Sequence, residues 1–448
     1  MSKTFSIGGI HPHDQKISTH QAIEPFPLPA LAYISMAQHL GAPALPVVQK
    51  GDYVKVGQQI GKSSTFISAH IHASVSGTVK SVEPFVDHTG KKWMTVIITV
   101  EGDEWMESID RSPELKREIT LSGPEIIQRV AEHGVVGLGG ATFPTHVKLS
   151  PPPGKKATCL IINGVECEPF LTSDYRVMLE LGEEVLVGAQ LMMRALNVER
   201  GIIGIEENKP DVIRHFSTLA KHYLGIEVVS LKKRYPQGGE KQLVEAVLKR
   251  QVPSMGLPID VGAVVQNSST ALAVYEAVQK NKPLIEKVIT MTGHCLATQK
   301  NYKVRIGTPF LELINAVGGI PPEAAKMVIG GPMMGQAVAH VEAPVVKGSS
   351  SILFLTEKET KRQTEGPCIR CAKCIEACPM ALEPYLLYKL STLGLKEALE
   401  KERIYDCIEC GCCLYSCPAN VPLLDMIRLS KAEVLKQMKS KSVTNNGK

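Results

Sequence analysis

The amino-acid sequence predicts a multidomain α/β protein, and three observations carry that expectation. Residues 1–120 read as short β runs broken by Gly, Pro and Ser. From about residue 124 to 280, short apolar runs alternate with helix-length amphipathic stretches. Nine of the twelve cysteines fall in two runs, Cys368 to Cys378 and Cys407 to Cys417, and all of these but Cys412 keep one repeated spacing. At 448 residues the chain is about three ordinary domains long, so it can bury a sizeable core without disulfide staples. A composition of 44% hydrophobic and 21% charged residues excludes intrinsic disorder and a disulfide scaffold. The net charge of +5, with no arginine-rich stripe, argues against a nucleic-acid partner.

The first unit, 1–120, is expected to be a barrel-sandwich of the lipoyl type. Val47 to Gln58 and Ala73 to Val79 alternate with glycine turns, as compact β-sandwich hairpins require. A swinging-arm carrier needs a lysine on its hairpin tip; Ser63 to Ala73 has none, which favours a docking role. The second unit, 121–282, shows strand-like runs at Thr158 to Ile162, Gly201 to Ile205, Ile226 to Leu231 and Val261 to Val265. Helical stretches near 176–196, 210–224, 240–250 and 269–280 separate them, with Val185, Leu186, Ala189, Met192, Met193 and Leu196 on one face of the first. Such alternation implies a parallel sheet with right-handed crossovers.

Ligands of such sheets bind beyond the carboxyl ends of the strands. Those ends are Asn163-Gly-Val-Glu-Cys-Glu-Pro169, Glu206-Glu-Asn208, Tyr235-Pro-Gln-Gly-Gly-Glu240 and Gln266-Asn-Ser-Ser-Thr270. Ahead of them runs Gly137-Leu-Gly-Gly-Ala-Thr-Phe-Pro-Thr-His-Val-Lys148, a flexible backbone able to approach a phosphate, followed by a cation. A nucleotide or flavin cradle is the favoured reading, and a structural turn is the alternative.

A small β-grasp unit is expected over 283–355, from the strand-like Val288 to Gly293, Tyr302 to Ile306 and Met327 to Ile329 around a helix ending at Gly318-Gly319. The fourth unit, 356–435, carries Cys368-x2-Cys371-x2-Cys374-x3-Cys378-Pro379 and Cys407-x2-Cys410-x2-Cys413-x3-Cys417-Pro418. In this tandem spacing three thiolates of each run hold one cubane and the fourth ligates the other. Two [4Fe-4S] clusters are expected, one on Cys368, Cys371, Cys374 and Cys417, the other on Cys407, Cys410, Cys413 and Cys378; zinc is the weaker alternative. The helix-length patterns between the runs mark a helical dicluster ferredoxin domain, and 436–448 is expected to be a solvated tail. No apolar window is long enough to span a membrane, since Val185 to Leu196 is cut by Gln190 and Arg194. The first residues show no secretory signal.

Gly8-Gly9-Ile10-His11-Pro12, the Gly137 to Lys148 loop, Asn163 to Pro169 and the two cysteine runs together resemble the RnfC subunit of the Rnf ion-translocating electron transport complex, in order and over nearly the whole chain. The resemblance implies a peripheral subunit on the cytoplasmic face of the cell (inner) membrane. There it would work with integral and ferredoxin-like subunits to couple electron flow between NAD(H) and ferredoxin to ion transport. The central unit is similar to the NADH- and FMN-binding subunit of complex I, although Val165 stands where that subunit has an aspartate and Gly239 where it has a glutamate. That similarity implies a flavin and nicotinamide site made of Gly137, Gly139, Gly140, Lys148, Asn163, Glu166, Glu168, Glu240, Asn267 and Thr270. FMN also fits on chemical grounds, because NAD(H) exchanges two electrons together whereas a cluster takes one, and a flavin converts between them. A soluble flavin/iron-sulfur reductase, such as the cobalamin reductase of propanediol metabolism, is the alternative. An electron wire without nucleotide and a docking scaffold also stay open.

Overall fold

The computed structural model describes residues 2–445 of the chain. The barrel-sandwich is built from two antiparallel sheets. Leu31–Ser35, Lys92–Val100, Gly77–Val86 and Tyr53–Val54 form one; Leu45–Pro46, Gln59–Lys62 and Ile71–His72 form the other. Alternate residues Ile34, Val79, Val96 and Ile98 face Ile60 and Ile71 across the core.

Within the expected 1–120 unit, the strands of the two sandwich sheets run from Leu31 to Val100. The first residues form a strap that leaves the sandwich: Lys3 bridges to Leu231, Ile10 to Tyr235, and Ile23–Pro25 adds a parallel strand beside Lys300–Arg305. The strap's apolar anchors Phe5 and Ile10 are buried in this course. At the other end, 106–121 forms no strand, and Leu115, Ile119 and Leu121 pack on the core of the central domain.

The central sheet is wholly parallel, in the order Ile226–Leu231, Gly201–Glu206, Cys159–Gly164, Ala263–Asn267. The chain therefore moves outward in one direction from Cys159–Gly164 and returns to its other side with the fourth strand. That reversal opens a crevice between the ends of Cys159–Gly164 and Ala263–Asn267. The expected helix at 176–196 is two, Ser173–Glu180 and Gly182–Leu196, because Leu181 leaves helical geometry at φ −129°. The fourth strand begins at Ala263, since Pro258–Val261 is a short 3₁₀ turn.

The β-grasp unit is a mixed six-stranded sheet that includes Ile23–Pro25, with the helix Phe310–Ala316 packed on it. In the C-terminal unit, Lys373–Glu376 and Cys412–Tyr415 each begin inside a cysteine run, with Pro384–Thr392 and Lys396–Lys401 between them. The tail expected from 436 is instead helical as far as Asn445, as part of Leu423–Asn445. Val434 and Met438, four residues apart, pack on the cluster-domain core and carry the helix onward. Residues 446–448 lie outside the described residues. Among the described residues no helix is long and apolar enough to cross a membrane.

Candidate functional site

The crevice lies where topology predicts. Asn163 and Asn267 are partners in the parallel register, so both side chains stand at the same level at its floor. Asn267 caps the helix Ser268–Gln279: its Oδ1 accepts from Thr270 N–H at 3.2 Å, and its Nδ2 donates to Asp174 Oδ2 at 2.6 Å. Asn163 Nδ2 donates to the Gly238 carbonyl oxygen at 2.9 Å, tying the first strand end to the third. The glycine-rich loop lies above. Its Leu138 is pinned at both polar groups, the N–H donating to Thr270 Oγ1 at 2.9 Å and the carbonyl accepting from Lys287 Nζ at 3.0 Å. Gly139 and Gly140 are exposed between these anchors, and Gly140 faces open space with φ +114°. Lys148 Nζ donates to Glu240 Oε1 at 2.6 Å and to the Val265 carbonyl oxygen at 3.1 Å.

This surface fits a phosphorylated flavin. Bare glycine backbone, a cation and the N-terminal N–H groups of a twelve-residue helix converge on it. Thr145 Oγ1, His146 Nδ1, Gln266 Nε2 and Ser268 Oγ, all on segments bordering the crevice, are buried without a protein partner. A Cβ at Gly139 would stand 2.6 Å from Asn267 Nδ2, which cannot retreat while Asp174 holds it. Gly139→Ala is therefore expected to lower FMN affinity roughly tenfold, through loss of the cap and its hydrogen bond, with iron content and circular dichroism unchanged. Flavin fluorescence titration measures this.

Two of the expected site carboxylates are engaged by the protein's own groups. Glu166 turns inward: its carboxylate accepts from the N–H groups of Asp174 (2.8 Å) and Tyr175 (3.2 Å) at the start of Ser173–Glu180 and pairs with Lys16 at 3.9 Å. Glu168 accepts from Met333 N–H at 3.1 Å and Met334 N–H at 2.8 Å, fastening the β-grasp turn to the central domain. Burial pushes its carboxyl up to about 7. Both carboxylates satisfy backbone donors at the site's border. Thr270 is likewise fully buried and acts on the loop through Leu138.

Cysteines of the two runs approach one another, and Cys378 also stays near Cys374 of its own run. Cys378 of the first run lies close enough to interact electrostatically with Cys407, Cys410 and Cys413 of the second. These four residues line one cavity with Cys412, Leu387 and Leu424. Cys374 interacts with Cys417 of the second run and with Cys368. The first set is buried or half-buried, whereas Cys368 and Cys371 of the second are exposed. Among the described residues no three such side chains converge on the position of a single ion; Cys378, Cys407, Cys410 and Cys413 surround a space. Burial raises the Cys378 thiol and pushes Cys407 up to about 11, which disfavours bare thiolates there and suits thiolates neutralised by iron, whereas a hydrogen bond with Cys412 lowers Cys410.

Some site-forming residues gave no sequence signal. Lys287 and Lys347 are buried lysines that donate to main-chain carbonyls, Lys287 to Leu138 and Lys347 to Gly134 (2.6 Å) and His70 (3.0 Å). Burial lowers them to about 8 and about 7. Lys16 donates to three carbonyls around the Glu166 loop, those of Glu166, Glu168 and Leu171. Phe66, on the hairpin tip of the sandwich, accepts through its carbonyl from His146 Nε2 at 3.2 Å, which docks the tip on the glycine-rich loop.

A parallel α/β crevice of flavin type, joined through a β-grasp unit to two four-cysteine sets, defines an electron-transfer protein of the flavin/iron-sulfur class. Family models match each part: an RnfC barrel sandwich hybrid domain at residues 3–103, a Nuo51 FMN-binding domain at 130–276, an SLBB domain at 288–337 and a 4Fe-4S dicluster domain at 360–418. The chain is 47% identical over 438 residues to the RnfC subunit of the proton-translocating ferredoxin:NAD(+) oxidoreductase complex of Clostridium ljungdahlii, covering 97% of this chain and 94% of that one. It is 42% identical to the RnfC subunit of the Na(+)-translocating ferredoxin:NAD(+) oxidoreductase complex of Acetobacterium woodii, covering 96% and 97%. It is 41% identical to the RnfC subunit of the ion-translocating oxidoreductase complex of Rhodobacter capsulatus, covering 98% and 85%. The chain belongs to this RnfC family of the Rnf ion-translocating oxidoreductases.

Proposed function

We propose that this chain exchanges electrons between NAD(H), a bound FMN and two [4Fe-4S] clusters, as the peripheral subunit of a membrane-bound complex that couples ferredoxin:NAD oxidoreduction to ion translocation. One observation carries the reading: a single loop borders both sites. Tyr235 donates its hydroxyl to the Cys410 carbonyl oxygen at 3.0 Å, and five residues on, Glu240 holds Lys148 at the crevice. Identity along the whole chain to RnfC relatives, including the barrel-sandwich model, disfavours the soluble cobalamin-reductase alternative.

In this reading Lys148 and the N–H groups of Ser268 and Ser269 hold the phosphate, while Gly137, Gly139 and Gly140 admit the flavin to the backbone. Asn163, Asn267 and Thr270 keep the crevice floor and loop in register, and Glu240 orients the ammonium. FMN supplies the conversion between hydride and single-electron chemistry. Cys407, Cys410, Cys413 and Cys378 hold the buried cluster; Cys368, Cys371, Cys374 and Cys417 hold the one nearer solvent. Integral and ferredoxin-like subunits would keep the chain at the cytoplasmic face of the membrane, with ferredoxin reached indirectly.

Anaerobic reconstitution followed by NADH titration tests the proposal. The loaded chain is expected to hold about eight irons and to show flavin bleaching and cluster reduction in one titration. A chain that takes up no flavin, or a flavin that NADH does not bleach, overturns it.

A further inference from the structure

The pair Gly8-Gly9 belongs to neither site, yet the strap carrying it runs between the central domain and the buried thiol cage and touches both. Gly9 N–H donates to the Ala377 carbonyl oxygen at 2.9 Å, one residue before Cys378. Ile10 and Tyr235 exchange two backbone hydrogen bonds, each of 2.8 Å. Tyr235 is 2% exposed, and its hydroxyl reaches Cys410. From the central domain, Arg234 lies 4.3 Å over the Phe5 ring and donates to the carbonyl oxygens of Phe5 (2.7 Å) and Gly8.

Both glycines are required where they stand. Their φ angles of +69° and +86° are left-handed. A Cβ on Gly8 would collide with the Cys378 carbonyl group, and one on Gly9 would come within 2.9 Å of Arg234 Nε and the Tyr235 carbonyl oxygen. Beneath the strap, Ile10, Tyr235, Ala377, Cys410 and Cys412 form one apolar cluster in which Cys412 is fully buried, its thiol facing the Tyr235 carbonyl oxygen at 3.8 Å.

We infer that Gly8, Gly9 and Tyr235 are positioning residues: they fasten the cage of Cys378, Cys407, Cys410 and Cys413 to the central domain and seal it from water, fixing the separation across which electrons pass between crevice and cage. The inference rests on the functional reading above. The exchange is a single electron lost on one side and gained on the other; no bond forms or breaks in the strap, and it carries no proton. Tunnelling weakens exponentially with separation, so a strap that opens slows it. Water entry and lost hydrogen bonds also move the potential of a cluster.

The test uses the full reconstituted chain with Gly8→Val and Tyr235→Phe. NADH bleaching of the flavin should stay within about twofold of wild type, while NADH-driven reduction of the buried cluster slows about tenfold or more in Gly8→Val. Cys412, protected in wild type, should react with maleimide in that variant, as mass spectrometry reads directly. Tyr235→Phe removes only the hydroxyl, so its buried cluster should keep its iron and titrate at a more negative potential, because the Cys410 peptide loses a donor. Wild-type cluster kinetics together with unreactive Cys412 in Gly8→Val overturn the inference. If Gly8→Val does not hold iron, an unchanged potential and rate in Tyr235→Phe overturn it. Maleimide labelling needs no NADH, so a wild-type chain whose flavin fails to bleach refutes the functional reading while Cys412 still decides the role of the strap.

Discussion

Cys378→Ala is expected to hold about four irons in place of about eight, and the iron it keeps should be the cluster of Cys368, Cys371, Cys374 and Cys417. Linear proximity would make Cys378 the fourth ligand of its own run. The cavity it lines favours the crossed pairing, since Cys407, Cys410 and Cys413 line it as well, whereas Cys374 of its own run does not. Removing one thiolate from a closed, apolar cage leaves an iron without a protein donor where water enters poorly, so the whole buried cluster should fail to assemble. Iron and sulfide analysis with low-temperature EPR would then show one magnetically isolated signal on reduction. Cys412→Ala is the control: its thiol faces Tyr235, and the variant should keep both clusters. Loss of the solvent-facing cluster in Cys378→Ala would show that each run serves its own cubane.

The expected cysteine sets rest on spacing: three thiolates of each are separated by two-residue gaps within one run, and the fourth comes from the other run. The crevice was legible for a different reason. Alternating strands and helices restrict the sheet to few topologies, and the strand ends that meet follow from the order. What stayed hidden depends on pairs far apart in sequence. Glu166 and Glu168 read as ligand carboxylates because nothing local reveals that backbone N–H groups of Asp174 and Met333 claim them. Lys287 sits in an apolar β run, and its partner, the Leu138 carbonyl, lies 149 residues away. The motif Gly8 to Pro12 was visible as a pattern but not as a strap, since its requirement for glycine arises from Cys378, Arg234 and Tyr235.

Lys148→Ala is expected to weaken FMN binding about tenfold to a hundredfold, the range of a lost charge-assisted hydrogen bond to phosphate, while iron content and thermal midpoint stay near wild type. Stability should hold because Lys148 and Glu240 are 32% and 38% exposed, and ion pairs in such positions contribute about 0–1 kcal/mol. Binding should suffer twice. The phosphate loses a cation, and Glu240, 2.6 Å from the ammonium in wild type, is left as a bare carboxylate facing an incoming anion. The sign of the coupling follows: Lys148→Ala with Glu240→Ala should bind FMN more tightly than Lys148→Ala alone, because removing the second charge removes a repulsion that the first substitution created. Flavin fluorescence quenching over a range of ionic strength measures both terms, and the single variant should lose the salt dependence that the wild type shows. Equal affinity in Lys148→Ala and wild type would move the phosphate to the N-terminus of Ser268–Gln279 alone, where Ser268 Oγ is the side-chain donor to remove next.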